Sequence, residues 1–326
     1  MSARSSWILV GSAGLLALAV LLRLLVASDG LHWPSEEAVF RLRLDRAVSG
    51  IVVGGGVALA GVLLQALLRN PLASPDILGL ASAAQLGVMT SIYLGFVAGQ
   101  GAVPLLGRVG PALAGSLAGL GLVYALSSRR GVVDPLAMIL VGVIVAILAG
   151  AGSQMLQHLM PDRGFEASRW LLGSLPDDLS PTLLGMSGAV VAASLAIGIV
   201  LGPQMDAASL SDDEALSVGV NIKRLRPTLF VLSGVLAAAT VVIAGPIGFV
   251  GLVCPHVMRL LAGPSHRPLV IGSTLLGGAL VVFADVLVRA IPTPTGRLPL
   301  GVLTTLIGGP VFVVLLRREM SGEARA

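Results

Sequence analysis

The chain alternates between long apolar segments and short breaks that contain proline, glycine or charged residues. The apolar segments fall near residues 7–27, 47–68, 77–97, 110–127, 135–156, 181–202, 227–248, 250–262, 269–289 and 299–316. Most of them approach the roughly 20 residues that an α-helix needs to cross the hydrocarbon core of a bilayer. The eighth is shorter and is interrupted by polar residues. The pattern predicts an all-α, polytopic membrane protein with about ten transmembrane helices, in a single domain that covers residues 1–326.

The composition supports this fold class and disfavours others. Hydrophobic residues make up 55% of the chain and charged residues 12%, whereas about a quarter of the residues in soluble domains are charged. Aromatic residues reach only 4%, which argues against a transmembrane β-barrel, because such barrels carry aromatic girdles. The net charge is only +4 and the basic residues are scattered through short breaks. We therefore expect no nucleic acid as a partner.

The positions of Lys and Arg predict the orientation of the chain in the membrane. If the N-terminus is cytoplasmic and ten helices alternate, the cytoplasmic breaks carry more basic residues than the outer breaks, as the positive-inside rule requires. Both termini are then expected in the cytoplasm. The first apolar segment contains Arg23 and lacks a clear cleavage site, so we expect a retained helix and not a cleaved signal peptide.

Three of the breaks contain sequence patterns that predict local structure. "RNPLASPDILGLASAA", residues 69–84, must end one helix and begin another, because the residue before a proline disfavours the helical region. In the inner break 203–226, Ser211 and Glu214 have the spacing of a capping box, and Gly219 lies where a short helix would stop. A short amphipathic helix and a solvated connector both remain open there. The outer break 157–180 is typical of a short interfacial helix.

The sequence lacks the patterns of several catalytic and transport sites. Lys223 is the only lysine and no Walker motif surrounds it, so this chain is not expected to bind ATP. His256 and His266 lie near one inner break, where hydrogen bonding at a helix end is favoured over a metal site. Asp285 lies one turn from Arg289, which predicts a local ion pair. No apolar segment holds paired carboxylates, which disfavours a proton-relay carrier.

Several stretches together resemble one protein family. These are "RNPLASPDILGLASAA", "RWLLGSL" at 169–175, "EALSVGV" at 214–220, "GPIGFVGLVCPHVMRLLAGPSHR" at 245–267, "ADVLVR" at 284–289 and "LPLGVLTTLIGGPVFVVLLRR" at 298–318. They follow one another in the order of the FecCD-type permease subunits of type II ABC importers, which take up iron–siderophore, haem and cobalamin. The resemblance runs from about residue 40 to residue 318.

The resemblance implies a transport subunit and not an enzyme. Two permease copies, more often identical than different, would enclose a pathway that works by alternating access in the bacterial inner membrane. A dimer of ATPase subunits would bind ATP and Mg²⁺ inside, and a periplasmic binding protein would deliver the cargo outside. No cofactor or metal is expected in this chain. A ferric siderophore is the favoured cargo, with haem or cobalamin as alternatives. An ion-coupled secondary carrier is a distant alternative, and a membrane enzyme is more distant still.

At the outer face, the resemblance assigns binding-protein docking to three arginines. Arg43 and Arg46 match the two arginines of the family's outer motif, and Arg289 ends the "ADVLVR" match. Exposed positive charges there would steer an acidic partner into register. The sequence departs from the family at Asp45, where proline is usual, and at Arg297, where Glu is common.

At the inner face, the resemblance assigns a gate and a coupling segment. Asn70 and Leu72 match an inner gate, for which a plain helix connector is the alternative. The residues expected to contact the ATPase, or to support that contact, are Glu214, Ala215, Leu216, Gly219, Arg259, His266 and Arg267.

Overall fold

The computed structural model describes residues 3–27, 30–99, 103–129, 132–133, 135–160, 171–177, 179–291 and 298–323. The described helices are α1 Ala3–Leu25, α2 Glu37–Leu68, α3 Leu80–Val97, α4 Val109–Ser127, α5 Pro135–His158, α6 Pro181–Ala208, α7 Asp212–Ser217, α8 Ile222–Ala244, α9 Val250–Ala262, α10 His266–Ala290 and α11 Leu300–Glu323. A 3₁₀ turn, Leu105–Arg108, precedes α4. Two hairpins of two-residue strands, β1 Val26–Ala27 with β2 Gly30–Leu31 and β3 Ser128–Arg129 with β4 Val132–Val133, connect helices.

Every predicted apolar segment coincides with one of these helices, and the all-α polytopic fold is confirmed. Eight described helices are long and apolar enough to cross a membrane. The helix α9 has only 13 residues, which is about 20 Å at 1.5 Å per residue and falls short of a ~30 Å hydrocarbon core. The apolar part of α11, Leu300–Val314, is also shorter than a full span. The expectation of about ten helices is therefore approximate.

The boundaries of α2 differ most from the prediction. The apolar pattern begins near residue 47, but α2 begins at Glu37 and runs for 32 residues. The additional turns contain Arg43 and Arg46, whose polarity hides the helix from a hydropathy pattern. These two side chains are nonetheless buried in the bundle. Helix α6 likewise continues past the predicted end at residue 202, through Pro203, to Ala208.

Helix α2 is the centre of the bundle and the most buried of the eight spans. Its close packing depends on two glycines. A Cβ atom on Gly54 would lie 2.1 Å from the carbonyl oxygen of Gly277 on α10, and one on Gly61 would lie 1.9 Å from that of Gly251 on α9. Both distances are shorter than any real contact, so these backbones can meet only where side chains are absent.

The short helix left open in the inner break is present as α7. Ser211 is its N-cap, and the Ser211 Oγ accepts a hydrogen bond from the Glu214 backbone N–H at 3.1 Å. Gly219 follows the helix with φ of +83°, a conformation that glycine adopts without strain. The interfacial helix predicted in the outer break falls largely on residues 161–170, which lie outside the described residues.

Candidate functional site

One buried carboxylate joins three elements near the end of the bundle that the sequence analysis predicts to face outward. Asp285 on α10 accepts from Arg23 Nε of α1 at 2.6 Å. It also accepts from Arg46 of α2 through both carboxylate oxygens, at 2.5 Å and 3.3 Å. All three side chains are buried. The predicted local pair between Asp285 and Arg289 is therefore wrong, because Asp285 points toward α1 and α2 and meets their arginines there.

Arg289 instead pairs with an acid from the outer segment 171–177. Its Nη2 donates to Asp177 Oδ1 at 2.9 Å, and Arg46 Nη1 donates to the same oxygen at 2.5 Å. The Asp177 side chain is 48% exposed, whereas the Arg289 side chain is 15% exposed. We call Arg23, Arg46, Asp177, Asp285 and Arg289 the outer ion cluster. It ties α1, α2, α10 and the segment 171–177 together.

Arg43 lies beside this cluster and has a separate role. Its Nη1 donates to the backbone carbonyl oxygens of Leu24 at 2.6 Å and His32 at 3.0 Å. The carbonyl of Leu24 belongs to the last turn of α1, where free carbonyl groups and the helix dipole favour a cation. Arg43 thus caps α1 from the neighbouring helix.

These contacts correct one expectation for the outer face. Arg43 and Arg46 are each only 4% exposed and already hold partners within the chain, so they are not the two exposed guanidinium groups that the sequence suggests. The reason is the early start of α2, which places both residues inside packed helix. Arg289 is the one predicted docking arginine that keeps some exposure. Asp45, which directly precedes Arg46 in the sequence, is exposed. Arg297 lies outside the described residues.

The predicted gate residues lie in the segment that joins α2 to α3. Asn70 Oδ1 accepts from the backbone N–H of Leu72 at 2.9 Å, which forms a tight turn directly after α2. Both residues are half-buried. Arg69 precedes them with φ of +50° and donates from Nε to the carbonyl of Ala208, at the end of α6, at 2.6 Å. The gating role of Asn70 and Leu72 stays a prediction.

The predicted coupling segment has two buried apolar side chains, Ala215 and Val220, and further apolar side chains in it and just before it are exposed. Ala215 is fully buried and anchors α7 to the bundle. Leu210, Leu216 and Val218 are 71%, 59% and 68% exposed. Ser211 Oγ also donates to Glu214 Oε2 at 2.8 Å. The Glu214 carboxylate thus meets the cap hydroxyl and not the cap backbone N–H of the usual capping box.

The remaining inner residues contact two different helices, α6 and α2. His266 begins α10, and Asp206 of α6 accepts from its backbone N–H and pairs with its Nδ1, each at 2.7 Å. Arg267 donates to the Ile199 carbonyl at 3.2 Å. Arg259, by contrast, donates to Gln65 of α2 at 3.0 Å. Hydrogen bonding of His266 at a helix end is confirmed. Supporting roles for these residues in coupling stay predictions.

His256 does not join His266 in a metal site in the described structure. It is buried in α9, with its ring edge-on to Phe312 of α11 at 6.2 Å between centroids. Neither ring nitrogen has a hydrogen-bond partner among the described residues, so the helix-end hydrogen bond expected for His256 is wrong, because the residue lies in the middle of α9. Within the described ranges, no group of three His, Cys, Asp or Glu side chains is placed to hold a metal ion.

Sequence reasoning missed two acids that organise these contacts, Asp177 and Asp206. Each pairs with a base more than fifty residues away, since Asp177 meets Arg46 and Arg289 and Asp206 meets His266. Spacing along the chain carries no signal for such pairs. The one available signal was the presence of acids at the ends of apolar segments, where an unpaired carboxylate would be costly.

Comparison with known proteins gives consistent results. The model of the FecCD transport family matches residues 7–318. The cobalamin import system permease protein BtuC of Halobacterium salinarum is 35% identical, over 90% of this chain and 81% of that protein. The hemin transport system permease protein HmuU of Yersinia pestis is 34% identical, over 95% of this chain and 92% of that protein. The Fe(3+) dicitrate transport system permease protein FecC of Escherichia coli is 34% identical, over 88% and 86%.

A solved structure agrees with the sequence comparisons. A metal-chelate type ABC transporter in an inward-facing conformation superposes with a TM-score of 0.82 and 30% identity. The superposition covers 96% of this chain and 99% of that one.

The outer ion cluster generates a stability prediction. Asp285→Asn should lower the free energy of unfolding by roughly 3 kcal/mol or more, because removing one partner of a buried ion pair leaves the other charge uncompensated. Arg23 is the residue most affected, because Asp285 is its only ion-pair partner in the described part of the chain. Thermal unfolding in detergent can be followed with a thiol-reactive dye, because the single cysteine, Cys254, is buried.

A double variant controls for loss of shape. Arg23→Met with Asp285→Asn removes the stranded charge, while Arg46 keeps Asp177. It should therefore be more stable than Asp285→Asn alone. If the double variant were less stable than the single one, the ionic account of this cluster would fail.

Proposed function

The chain belongs to the FecCD transport family, and we propose that it forms the membrane pathway for a ferric siderophore in an ATP-driven importer. The match over residues 7–318 carries the proposal, together with a superposition that covers 96% of this chain. Relatives are named for ferric citrate, hemin and cobalamin. Each of these cargoes is a metal held by an organic ligand. Haem and cobalamin are the alternative cargoes for this chain.

The proposal divides the work between this chain and its partners. A separate pair of ATPase subunits binds ATP and Mg²⁺, in keeping with the absence of a Walker motif around Lys223. A periplasmic binding protein delivers the chelate. A second copy of the chain completes the pathway, and both termini lie in the cytoplasm of a bacterial inner-membrane protein.

Reconstituted transport tests the proposed function. Proteoliposomes that contain the chain, its ATPase and its binding protein should accumulate a ⁵⁵Fe-labelled siderophore only when ATP is present on the ATPase side. Haem and cobalamin, offered in the same vesicles with their own binding proteins, test the alternative cargoes. An ATPase without its Walker lysine is the matched control. Uptake by this chain alone under an ion gradient would identify a secondary carrier and overturn the proposal.

For the inner face, we propose that α7 is the element that docks to the ATPase. The support is its combination of a capped, preformed helix with the exposed apolar side chains of Leu210, Leu216 and Val218. Exposed apolar groups around a buried anchor are typical of a contact surface. A short rigid helix can also transmit a rigid-body motion from the ATPase to α6 and α8, which flank it.

The coupling proposal predicts the effect of Glu214→Arg. The substitution removes the bond between Glu214 and the cap hydroxyl and places a cation at the N-terminal turn of α7, where the helix dipole disfavours it. A loss of about 1.4 kcal/mol would weaken ATPase binding roughly tenfold. Glu37→Arg reverses an exposed acid at the start of α2 and should leave binding unchanged. Pull-down titration of the ATPase measures both variants; equal affinities would place the docking site elsewhere.

For the outer face, we propose that Arg289 contacts an acidic group of the binding protein. Arg289 is the partly exposed base of the outer ion cluster. Arg289→Glu should weaken association with the binding protein at least several-fold at low ionic strength, and this difference should shrink in high salt because exposed charges are screened. Arg41→Glu is the control, since Arg41 is an exposed base on α2 that pairs only locally with Glu37 among the described residues. Equal effects of the two substitutions would argue against a specific contact at Arg289.

A further inference from the structure

The segment between α2 and α3, residues 69–79, joins the inner face to the interior of the bundle; we call it the connector. At its start, Arg69 is bonded to the end of α6, close to α7. At its end, Gly79 has φ of +71°, and a Cβ there would lie 2.8 Å from the carbonyl oxygen of Gly142 on α5. In between, the carbonyl of Ala73 accepts from Gln65 Nε2 at 3.4 Å. The connector is thus packed against three different helices.

Asp76 is the acid at the middle of the connector, and it meets the break between α8 and α9. Its carboxylate accepts a hydrogen bond from the backbone N–H of Phe249, the N-cap of α9. A Cβ on Gly248 would lie 4.0 Å from Asp76 Oδ2 and 3.0 Å from Thr305 Oγ1 of α11. Pro75, the preceding residue, packs against Gly251 of α9. Asp76 therefore lies where the connector, α9 and α11 come together.

The Asp76 side chain is half-buried, and one of its two carboxylate oxygens is enclosed without a partner in the described part of the chain. Its Oδ2 atom is shielded from water and has no hydrogen-bond partner among the described residues. Burying an unpaired charge is far more costly than burying a neutral group. Burial therefore raises the pKa of Asp76 to about 7, although the bond from the Phe249 N–H lowers it in part.

Among the described residues, no neighbouring charge offsets this burial. Among the described side chains, the charged or titratable groups nearest to this position are Arg69 of the connector, Arg317 of α11 and, on α9, Cys254, His256 and Arg259. Arg69 and Arg259 are bonded to Ala208 and Gln65, and His256 packs against Phe312. On α5 the one such group, His158, lies at the far end of the helix. None of them is a cause of the shift at Asp76.

We propose that Asp76 is a proton-binding site: the protonated carboxyl holds the connector against α9 and α11, and loss of the proton favours release of the connector. The neutral acid is tolerated in this packed position, whereas the carboxylate gains hydration when the connector moves into water. Because the connector is also bonded to the end of α6, its release would move or loosen the chain next to α7. This proton-binding site can be tested without cargo or ATPase, so the result of that test is independent of the proposed function.

The direction of the pH dependence follows from the two pKa values. In water an aspartate has a pKa of about 3.9, whereas in the packed connector the pKa is about 7. Below about pH 4 both conformations hold the proton, so their balance does not change with pH. Between about pH 4 and 7 only the packed conformation holds it, and each pH unit shifts the balance about tenfold toward release. Above about pH 7 the shift is complete.

Cysteine labelling measures this release. Ser74 is buried in the connector, and Ser74→Cys is nearly isosteric; it is introduced with Cys254→Ala so that it carries the only thiol. The rate of maleimide labelling in detergent is measured from pH 5 to pH 8, with and without Asp76→Asn. The ratio of the two rates cancels the thiol's own titration. We expect the labelling rate with native Asp76, divided by the rate with Asp76→Asn, to rise roughly tenfold or more between pH 5 and 7 and then to level off.

Two further variants keep the test decisive. Asp76→Glu retains a titrating carboxyl and should retain the rise. Circular dichroism and gel filtration show whether Asp76→Asn folds. If it does not, the labelling rate of Ser74→Cys is divided by the rate of an exposed thiol, Ser35→Cys, with Asp76 kept native in both proteins. A ratio that stays flat from pH 5 to 8 against either reference overturns the proposal, and so does a Ser74→Cys thiol that reacts at the exposed rate at every pH.

Discussion

One end of this bundle, the end predicted to face outward, depends on one buried carboxylate, that of Asp285. Two guanidinium groups from α1 and α2 converge on it, and Asp177 adds an acid from the segment 171–177. A charge placed among apolar helices is tolerated only when it is paired and hydrogen-bonded. The cluster therefore specifies which faces of α1, α2 and α10 meet. Van der Waals packing between apolar helices alone would leave their rotation far less defined.

Close backbone packing is the second constraint on how the helices of the bundle are arranged. Helix α2 passes through the middle of the bundle and meets α10 and α9 at glycines, where no side chain separates the backbones. On the inner side, the connector follows directly from α2 and reaches α5, the end of α6 and the N-terminus of α9. One central helix thus links the outer ion cluster to the inner elements that we propose to contact the ATPase. This continuity gives a physical route by which events at the two faces can be coupled.

The sequence predicted much of this fold because its signals are local. Apolar segments located the helices, and the spacing of Ser211, Glu214 and Gly219 indicated α7, which the structure contains. The ionic contacts could not be predicted in the same way. Arg23 and Asp285 are separated by 262 residues, so the local partner Arg289 was the only one visible from spacing. The burial of Arg43 and Arg46 was missed for a related reason, since polar residues at the start of α2 resemble a loop until their distant partners are known.

The central claim is that this chain passes a signal and a cargo between an outer binding protein and an inner ATPase. The most direct measurement is ATP hydrolysis by the ATPase bound to this chain in lipid nanodiscs, with and without cargo-loaded binding protein. The account predicts that the binding protein stimulates hydrolysis several-fold, and only when the chain is present. The account would be contradicted if the binding protein left the hydrolysis rate unchanged while the chain transported cargo driven by an ion gradient.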